Sequence, residues 1–448
     1  MNNYPSDWTI DRIKDIAAIN ASSLPTDTDP DYEFEYLEIS NVNYYGVIDQ
    51  NAIEHLRYEE APSRARRRVG MNDTVISSVR PNLQAAAFCP NGHGHFICST
   101  GFNVVHANEK KLLPKFAYYA LISEMGRQYF EAAAKGVGYP AVDDKDFNSF
   151  LVPLPPLSEQ TRITAYLDAS CAAIDAAVAA KRCQVDALDA LQKATITRAV
   201  TRGIEEKTKL RQTGNAWMKE VPENWDLVSL KRISEIQTGL TLGKGYEGAL
   251  IERPYLRVAN VQDGHLNLED ITTIEIPLDI ALRVELRPDD VLMTEGGDLD
   301  KLGRGTIWHG EIPECLHQNH IFAIRCFAHK LRPAFLAYLT ASQYGRDYFE
   351  ATGKRTTNLA NTNATKVGLS PVPRPSVDEQ NRICHFLDTK LREIAQIVGG
   401  IEAQIATLHD YRKSLIHECI TGQRRISEVD VERARRGEDK PRVPSTVA

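Results

Sequence analysis

The sequence predicts an α+β protein built from two repeated α/β domains, each leading into a helix of coiled-coil length. Three observations predict it. The chain repeats its own landmarks at an offset of 217–220 residues. Two proline runs, PLPPLSEQTRI at 153–163 and PVPRPSVDEQNRI at 371–383, each give way at once to helix-forming residues. A four-and-three apolar step then follows each run, the spacing of a helix with one sticky seam.

The repeat is justified motif by motif. Trp8 in YPSDWTIDRIKDI matches Trp225 in VPENWDLVSLKRI, and YLEISNV (36–42) matches YLRVANV (255–261). STGFNVV (99–105) aligns with QNHIFAI (318–324) through Phe102 and Phe322. GRQYFEAA (126–133) matches GRDYFEAT (345–352), and EQTRI (159–163) matches EQNRI (379–383). Chance similarity does not keep order and register together over such a length.

Each copy has two parts. In the first, EYLEISNV, DTVISSV and GFNVVHA read as strands by β-branched content and alternation. Residues 114–134 read as one helix that opens at Pro114 and stops near Gly136, with Pro333 and Gly353 marking the same limits in the second copy. The second part is the long helix. Its seam runs through Ile163, Leu167, Cys171, Ile174, Val178, Val185 and Leu188 in copy one. In copy two it runs through Ile383, Leu387, Leu391, Ile394, Val398, Ile401, Ile405 and Leu408, with a gap at Arg412. At 1.5 Å per residue, such a helix is a rod of about 60 Å. Ser158 and Asp378 are the expected N-caps, with Glu and Gln in the first turn, where the helix dipole favours acid. The prolines finish a globular head and keep the helix from running back into it. The resulting division is a first head at 1–155, a long helix at 156–202, a connector at 203–221, a second head at 222–374, a second long helix at 375–421 and a charged, loosely ordered tail at 422–448.

Composition bounds the class. Apolar (42%) and charged (25%) fractions are those of a soluble globular protein. No apolar run comes near the roughly 20 residues that span a bilayer, and MNNYPSDWTIDRIKD lacks the pattern of a secretory signal. Eight scattered cysteines without a C-x-x-C suit free thiols in a reducing cytoplasm. A net charge of −7 argues against a free-standing nucleic-acid binder but permits local basic faces or shared DNA contact.

Catalytic motifs are missing from the sequence. The sole Pro-Pro, in LPPL, has the wrong neighbours for an amino-methyltransferase loop. GLTLGKGYEG (239–248) misses the phosphate-loop spacing, and RPDDVLMTEGG puts Gly297 where a nuclease needs Lys. There is no G-x-S-x-G and no H-E-x-x-H. Cys89, His93, His95 and Cys98 are zinc-ligand types within ten residues. NGHG between them is turn-like, however, and the second copy offers no counterpart, so a β-hairpin is expected there and no metal.

Two regions carry candidate nucleic-acid contacts. Residues 57–84 hold Arg64, Arg66, Arg67 and Arg80, which fit either a phosphate-tracking face or a solvated loop. The matching stretch of copy two is Gly-rich, with Lys301, Arg304 and His309. The loops after the shared helix also diverge: KGVGYPAVD, with Lys135 and Tyr139, against KRTTNLANTN, with Lys354, Arg355, Asn358 and Asn361. Like frames with unlike loops are expected where frames hold position and loops read different bases. Arg suits guanine and Asn or Gln suits adenine, which adds Asn82 and Gln84 to the candidates.

These motifs together resemble the specificity subunit of type I restriction–modification enzymes over nearly the whole chain. The resemblance rests on PLPPLSEQTRI and PVPRPSVDEQNRI, on VPENWDLVSLKRI, on STGFNVV and on the G-R-x-Y-F-E run of each head. It implies that each head is a target-recognition domain for one half of a split, asymmetric target in double-stranded DNA. It implies that the long helices form an antiparallel coiled coil that sets the spacing and docks two modification subunits. Those would carry S-adenosylmethionine and methylate adenine, and restriction subunits would add ATP- and Mg2+-dependent translocation and cleavage. This chain would bind no cofactor, span no membrane and be no enzyme. Arg374, Pro375 and Val377 depart from the tidier first junction, although the Glu-Gln pair is intact. A single-chain methyltransferase or nuclease, or a coiled-coil scaffold without a DNA role, are the competing readings.

Overall fold

The computed structural model describes residues 4–438 apart from 44, 45, 84, 93, 94, 244, 298–302, 304 and 356–359. The chain forms two compact units. One holds residues 1–182 with 402–448, the other residues 183–401.

In the first unit, Ala17–Ile19, Phe102–Ala107, Asp73–Ser77 and Ala86–Cys89 pair in that order as an antiparallel four-stranded sheet. A second sheet orders Glu54–Arg57, Glu33–Leu37, Phe96–Ser99 and Ala65–Arg68, with Glu33–Leu37 and Phe96–Ser99 parallel. Helix Pro114–Ile122 buries six consecutive side chains, Phe116 to Leu121. It covers the first sheet, which is how a hydrophobic sheet face is kept from water. Thr9–Arg12 pairs with Leu151–Leu154, Thr9 opposite Leu154 and Arg12 opposite Leu151. The head therefore begins and ends on one two-stranded ribbon. Part of the proline run is that ribbon's last strand. Pro153 sits in a two-stranded sheet, where a missing N–H is tolerated.

The second unit repeats this plan. Ser234–Thr238, Ile321–Cys326, Val291–Thr294 and Gly305–Ile307 form the antiparallel sheet. Ile251–Leu256 pairs antiparallel with Thr272–Ile276 and parallel with Leu316–His317. Asp226–Ser229 and Pro371–Arg374 make the closing ribbon. The YLEISNV and YLRVANV matches have a physical reason too. Asn41 and Asn260 each end a short 3-10 turn and accept, through Oδ1, from the backbone N–H three residues back, at 2.6 and 2.7 Å.

The long helices span Leu157–Arg202 and Val377–Ile420. In the first unit Arg162 donates to the Ile426 carbonyl, Asp175 faces Arg412, and Lys181 meets Gln404. One helix rises as the other falls, so the pairing there is antiparallel. In the second unit Ile196, Ala199 and Val200 share a core with Ile383, Cys384 and Leu387.

Five expectations need correction. The helix expected over 114–134 is two helices, Pro114–Ile122 and Glu124–Ala133. Ser123, extended and buried, breaks it by accepting the Gly126 N–H on its hydroxyl, and Ser342 does the same in the second copy. Ala86–Cys89 and Phe96–Ser99 are not a hairpin but belong to different sheets, so the intervening loop crosses between them. Ser158 and Asp378 lie inside the first turn of their helices. At the second junction Ser376 accepts the Glu379 N–H instead, at 3.2 Å. The tail, expected to be loosely ordered, carries helix Glu428–Arg435 with a Ser427–Asp430 capping box. Val431 and Ala434 of that helix, and Ile426 before it, are buried. Finally, one stretch of Leu157–Arg202 is apolar enough in length and composition to cross a membrane. Its Ile163, Tyr166, Leu167 and Cys171 are spent in the first unit's core.

Candidate nucleic-acid interface and helix pairing

The proline junction is built around a buried glutamine. Gln160 is fully buried. Its Oε1 accepts from the Leu113 N–H at 2.8 Å, and its Nε2 donates to the Lys111 and Pro155 carbonyls at 2.9 Å. Gln380 repeats this with Arg332 N at 2.8 Å and the Lys330 and Pro375 carbonyls at 3.0 Å. One side chain thus ties the helix start to the junction and to the head. The neighbouring carboxylate takes the tryptophan of the opening motif, Trp8 Nε1 to Glu159 at 3.2 Å and Trp225 Nε1 to Glu379 at 3.0 Å. In the first unit Arg425 adds ion pairs to Glu159 (2.7 Å) and Asp7 (2.8 Å), and holds the Asp7 carboxyl below its usual range. The sequence marks the Glu-Gln pair as a repeated first-turn landmark but does not reveal the hydrogen bonds it makes. The signal was its exact repetition beside prolines and neighbours that change.

The predicted seam divides by depth. Ile163, Leu167, Ile174, Val178, Ile383, Leu387 and Ile394 are buried, whereas Val185, Leu188, Leu391, Val398, Ile401, Ile405 and Leu408 are half-exposed. In the first unit Ile405 and Leu408 pack on the core that holds Ile163–Val178 and Leu415–Ile420.

The basic cluster of the first head is largely engaged. Arg64 pairs with Glu38 through Nε at 3.1 Å and bonds the Tyr36 hydroxyl at 3.3 Å. Arg66 lies over the Tyr58 ring, 4.9 Å from its centroid. Arg67 turns inward where a β-bulge shifts the register between Ala65 and Arg67. Its guanidinium bonds the Phe102 carbonyl and the Asn103 Oδ1, and burial lowers its pKa. Lys135 is held by Asp143 (2.8 Å) and Asp146 (2.7 Å). Arg80 and Tyr139, 59 residues apart in sequence, are brought together, the guanidinium 4.2 Å from the ring centroid. Asn82 is exposed beside Arg80 in sequence.

In the second head Lys354–Arg355 pairs with Ala360–Asn361, which in turn pairs with Gly296–Gly297. Lys354 and Asn361 are exposed there, and so is His309. His309 lines a cavity of about 460 Å³ with Gln192, Lys193, Ala337, Tyr338 and Arg346 among others. Gln84, Lys301, Arg304 and Asn358, the side chain of Arg355, and His93 of the former metal candidate lie outside the described residues. His95 stacks on Tyr32 at 5.2 Å, and Cys89 and Cys98 are buried thiols whose pKa burial raises.

A duplicated mixed sheet-and-helix head, each copy latched to a long helix, defines a two-headed α+β architecture. Comparison with solved structures finds that fold in a chain described under complex assembly and conformational transition of the type I R-M system. The TM-score is 0.72 at 22% identity, covering 94% of this chain and 100% of that one. Residues 5–180 match the family described as the type I restriction modification DNA specificity domain. The putative MjaX specificity subunit of Methanocaldococcus jannaschii is 25% identical over 204 residues, 45% of this chain and 47% of that relative. This match therefore spans about half of that relative's length. The EcoKI specificity subunit of Escherichia coli is 22% identical over 362 residues, 80% of this chain and 75% of that one. The chain is thus similar to type I restriction–modification specificity subunits, and the family's domain is matched over its first head and the start of the first long helix.

Proposed function

We propose that each head reads one half of a split, non-palindromic target in duplex DNA and that the paired long helices fix the distance between the halves. The recognition domains are 1–155 and 222–374, the helices 156–202 and 375–421, and the connector 203–221. The helices also dock two modification subunits, which carry S-adenosylmethionine and methylate adenine. Restriction subunits add ATP- and Mg2+-dependent translocation and cleavage. The chain is a non-catalytic, cytoplasmic recognition subunit without a cofactor of its own. DNA contacts come from the exposed set, Arg80, Asn82 and Tyr139 in one head and His309, Lys354 and Asn361 in the other, with Gln84, Lys301, Arg304, Arg355 and Asn358 completing the loops.

The observation that carries this reading is the glutamine latch repeated in two frames whose loops differ in chemistry. A device needing one reader twice would repeat its loops as well as its frame. Long-read methylation mapping of cells carrying the intact system tests it. The expected outcome is one bipartite, asymmetric motif. Four residues inserted after Ala180, about one helical turn, should lengthen the spacer and leave both half-sites unchanged. A palindromic motif, or a spacer that stays constant, would overturn the reading.

A further inference from the structure

One loop of the first head presents an apolar side chain where no packing explains it. Val137 is fully exposed (106%), more than any other large apolar side chain among the described residues. It stands between Gly136 and Gly138, whose φ angles of +108° and +90° make a tight tip that other residues rarely adopt. Next to it Tyr139 is 72% exposed, with Arg80 stacked on its ring.

The base of this finger is fixed. Lys135 and Ala141 exchange both backbone hydrogen bonds at 2.9 Å, and Val142 N donates to the Ser78 carbonyl at 2.8 Å. Arg80, itself held at φ +49°, donates its N–H to the Pro140 carbonyl at 2.7 Å. Lys135 Nζ bridges Asp143 and Asp146, and Asp143 caps the next helix. A tip on a braced base keeps its shape when it meets a partner. Its chemistry is one apolar residue flanked by an aromatic ring and a cation, too narrow for a protein-docking patch. It matches the wedges that proteins push between base pairs, where an apolar side chain replaces a lost stack and a nearby Arg meets the groove.

We infer that Val137 is a wedge that enters a base step of the half-site read by the first head, with Tyr139 and Arg80 lying along the groove beside it. This rests on the DNA-reading function proposed above and adds how that head engages its site: by unstacking one step. Specificity then comes partly from how readily the step opens.

The test uses the full chain assembled with its modification subunits. The mapped target carries 2-aminopurine in turn at each step of both half-sites. Binding should raise the fluorescence several-fold at one step, and Val137→Ser should abolish that rise. The same variant should weaken specific binding roughly tenfold while leaving non-specific binding unchanged. Val137→Leu should restore both. Because the side chain is exposed, Val137→Ser should fold like the parent, which its thermal transition verifies. Specific binding by the parent with no fluorescence rise at any step would overturn the wedge and leave the function standing. So would a Val137→Ser defect confined to subunit assembly. A parent complex with no sequence preference would overturn the function and the wedge with it.

Discussion

At equivalent places in the two units, one copy is filled and the other hollow. In the first unit Arg412 sits between the long helices and the head, its Nε 3.7 Å from Asp175 and its side chain only 14% exposed. Tyr118 packs there too, buried in the same core that receives Phe88 and Tyr411. By the repeat, Gln192 stands for Arg412 and Ala337 for Tyr118. These smaller residues line the cavity of about 460 Å³. The glutamine latches, by contrast, are alike bond for bond. The difference teaches where the architecture is specified. The tie between head and helix tolerates no drift, because three hydrogen-bonding groups in a dry site must all be met. The packing beneath it tolerates a missing guanidinium and a missing phenol.

The largest effect should come from breaking a latch. Gln160→Ala leaves the Leu113 N–H and two carbonyls without their partner in a fully buried site. We expect a loss of about 3 kcal/mol, with hydrogen exchange accelerated in the first unit. Gln380→Ala should do the same in the second unit. If either variant were silent, the equivalence of the two latches would be broken.

Acid should distinguish the units almost as strongly. His317, fully buried, bonds the Ile321 carbonyl through Nδ1 at 2.9 Å, and burial lowers its pKa to about 4. As pH falls the unfolded chain takes up the proton first, from its ordinary value near 6.5. The stabilisation is therefore complete above that value and is lost on the way down to about 4. About 3 kcal/mol is at stake in the second unit. Denaturant titrations between pH 7 and 4 should show this slope, and His317→Asn should flatten it.

Smaller effects sharpen the filled-and-hollow contrast. Arg412→Ala should cost about 2 kcal/mol through lost packing and a carboxylate left without its cation. Gln192→Ala should cost less than half of that, measured by the same urea transitions. The double substitution Gln192→Arg with Ala337→Tyr should stabilise the second unit by about 1 kcal/mol by filling its cavity. A destabilisation instead would mean that the hollow is shaped differently from its counterpart.

Much of this arrangement was legible in the sequence because it is written twice. The repeat placed both long helices within a residue or two of where they start, and paired Trp8 with Trp225 before their carboxylate partners were visible. What stayed hidden had physical reasons. Ser123 splits its helix although the apolar pattern runs through both halves, since a buried serine can cap as well as sit mid-helix. Phe96–Ser99 joins a neighbour more than fifty residues upstream in parallel register, which local turn signals cannot reveal. Arg67 read as one of a row of surface cations until a bulge aimed it into the protein. Of the candidate contacts, only the meeting of Arg80 with Tyr139 could have been sought from sequence, as a cation and a ring near two loops of one head.

The ribbon that closes each head has a consequence for how such proteins diversify. Thr9 lies opposite Leu154 and Asp226 opposite Arg374, so the chain leaves a head beside the place where it came in. Everything between those neighbouring points can be exchanged as a cassette, and the strand pair will still deliver the next residues to the helix in the same position. If the heads read DNA as proposed, new half-site preferences arise by wholesale replacement of a module, without any compensating change in the scaffold that carries it.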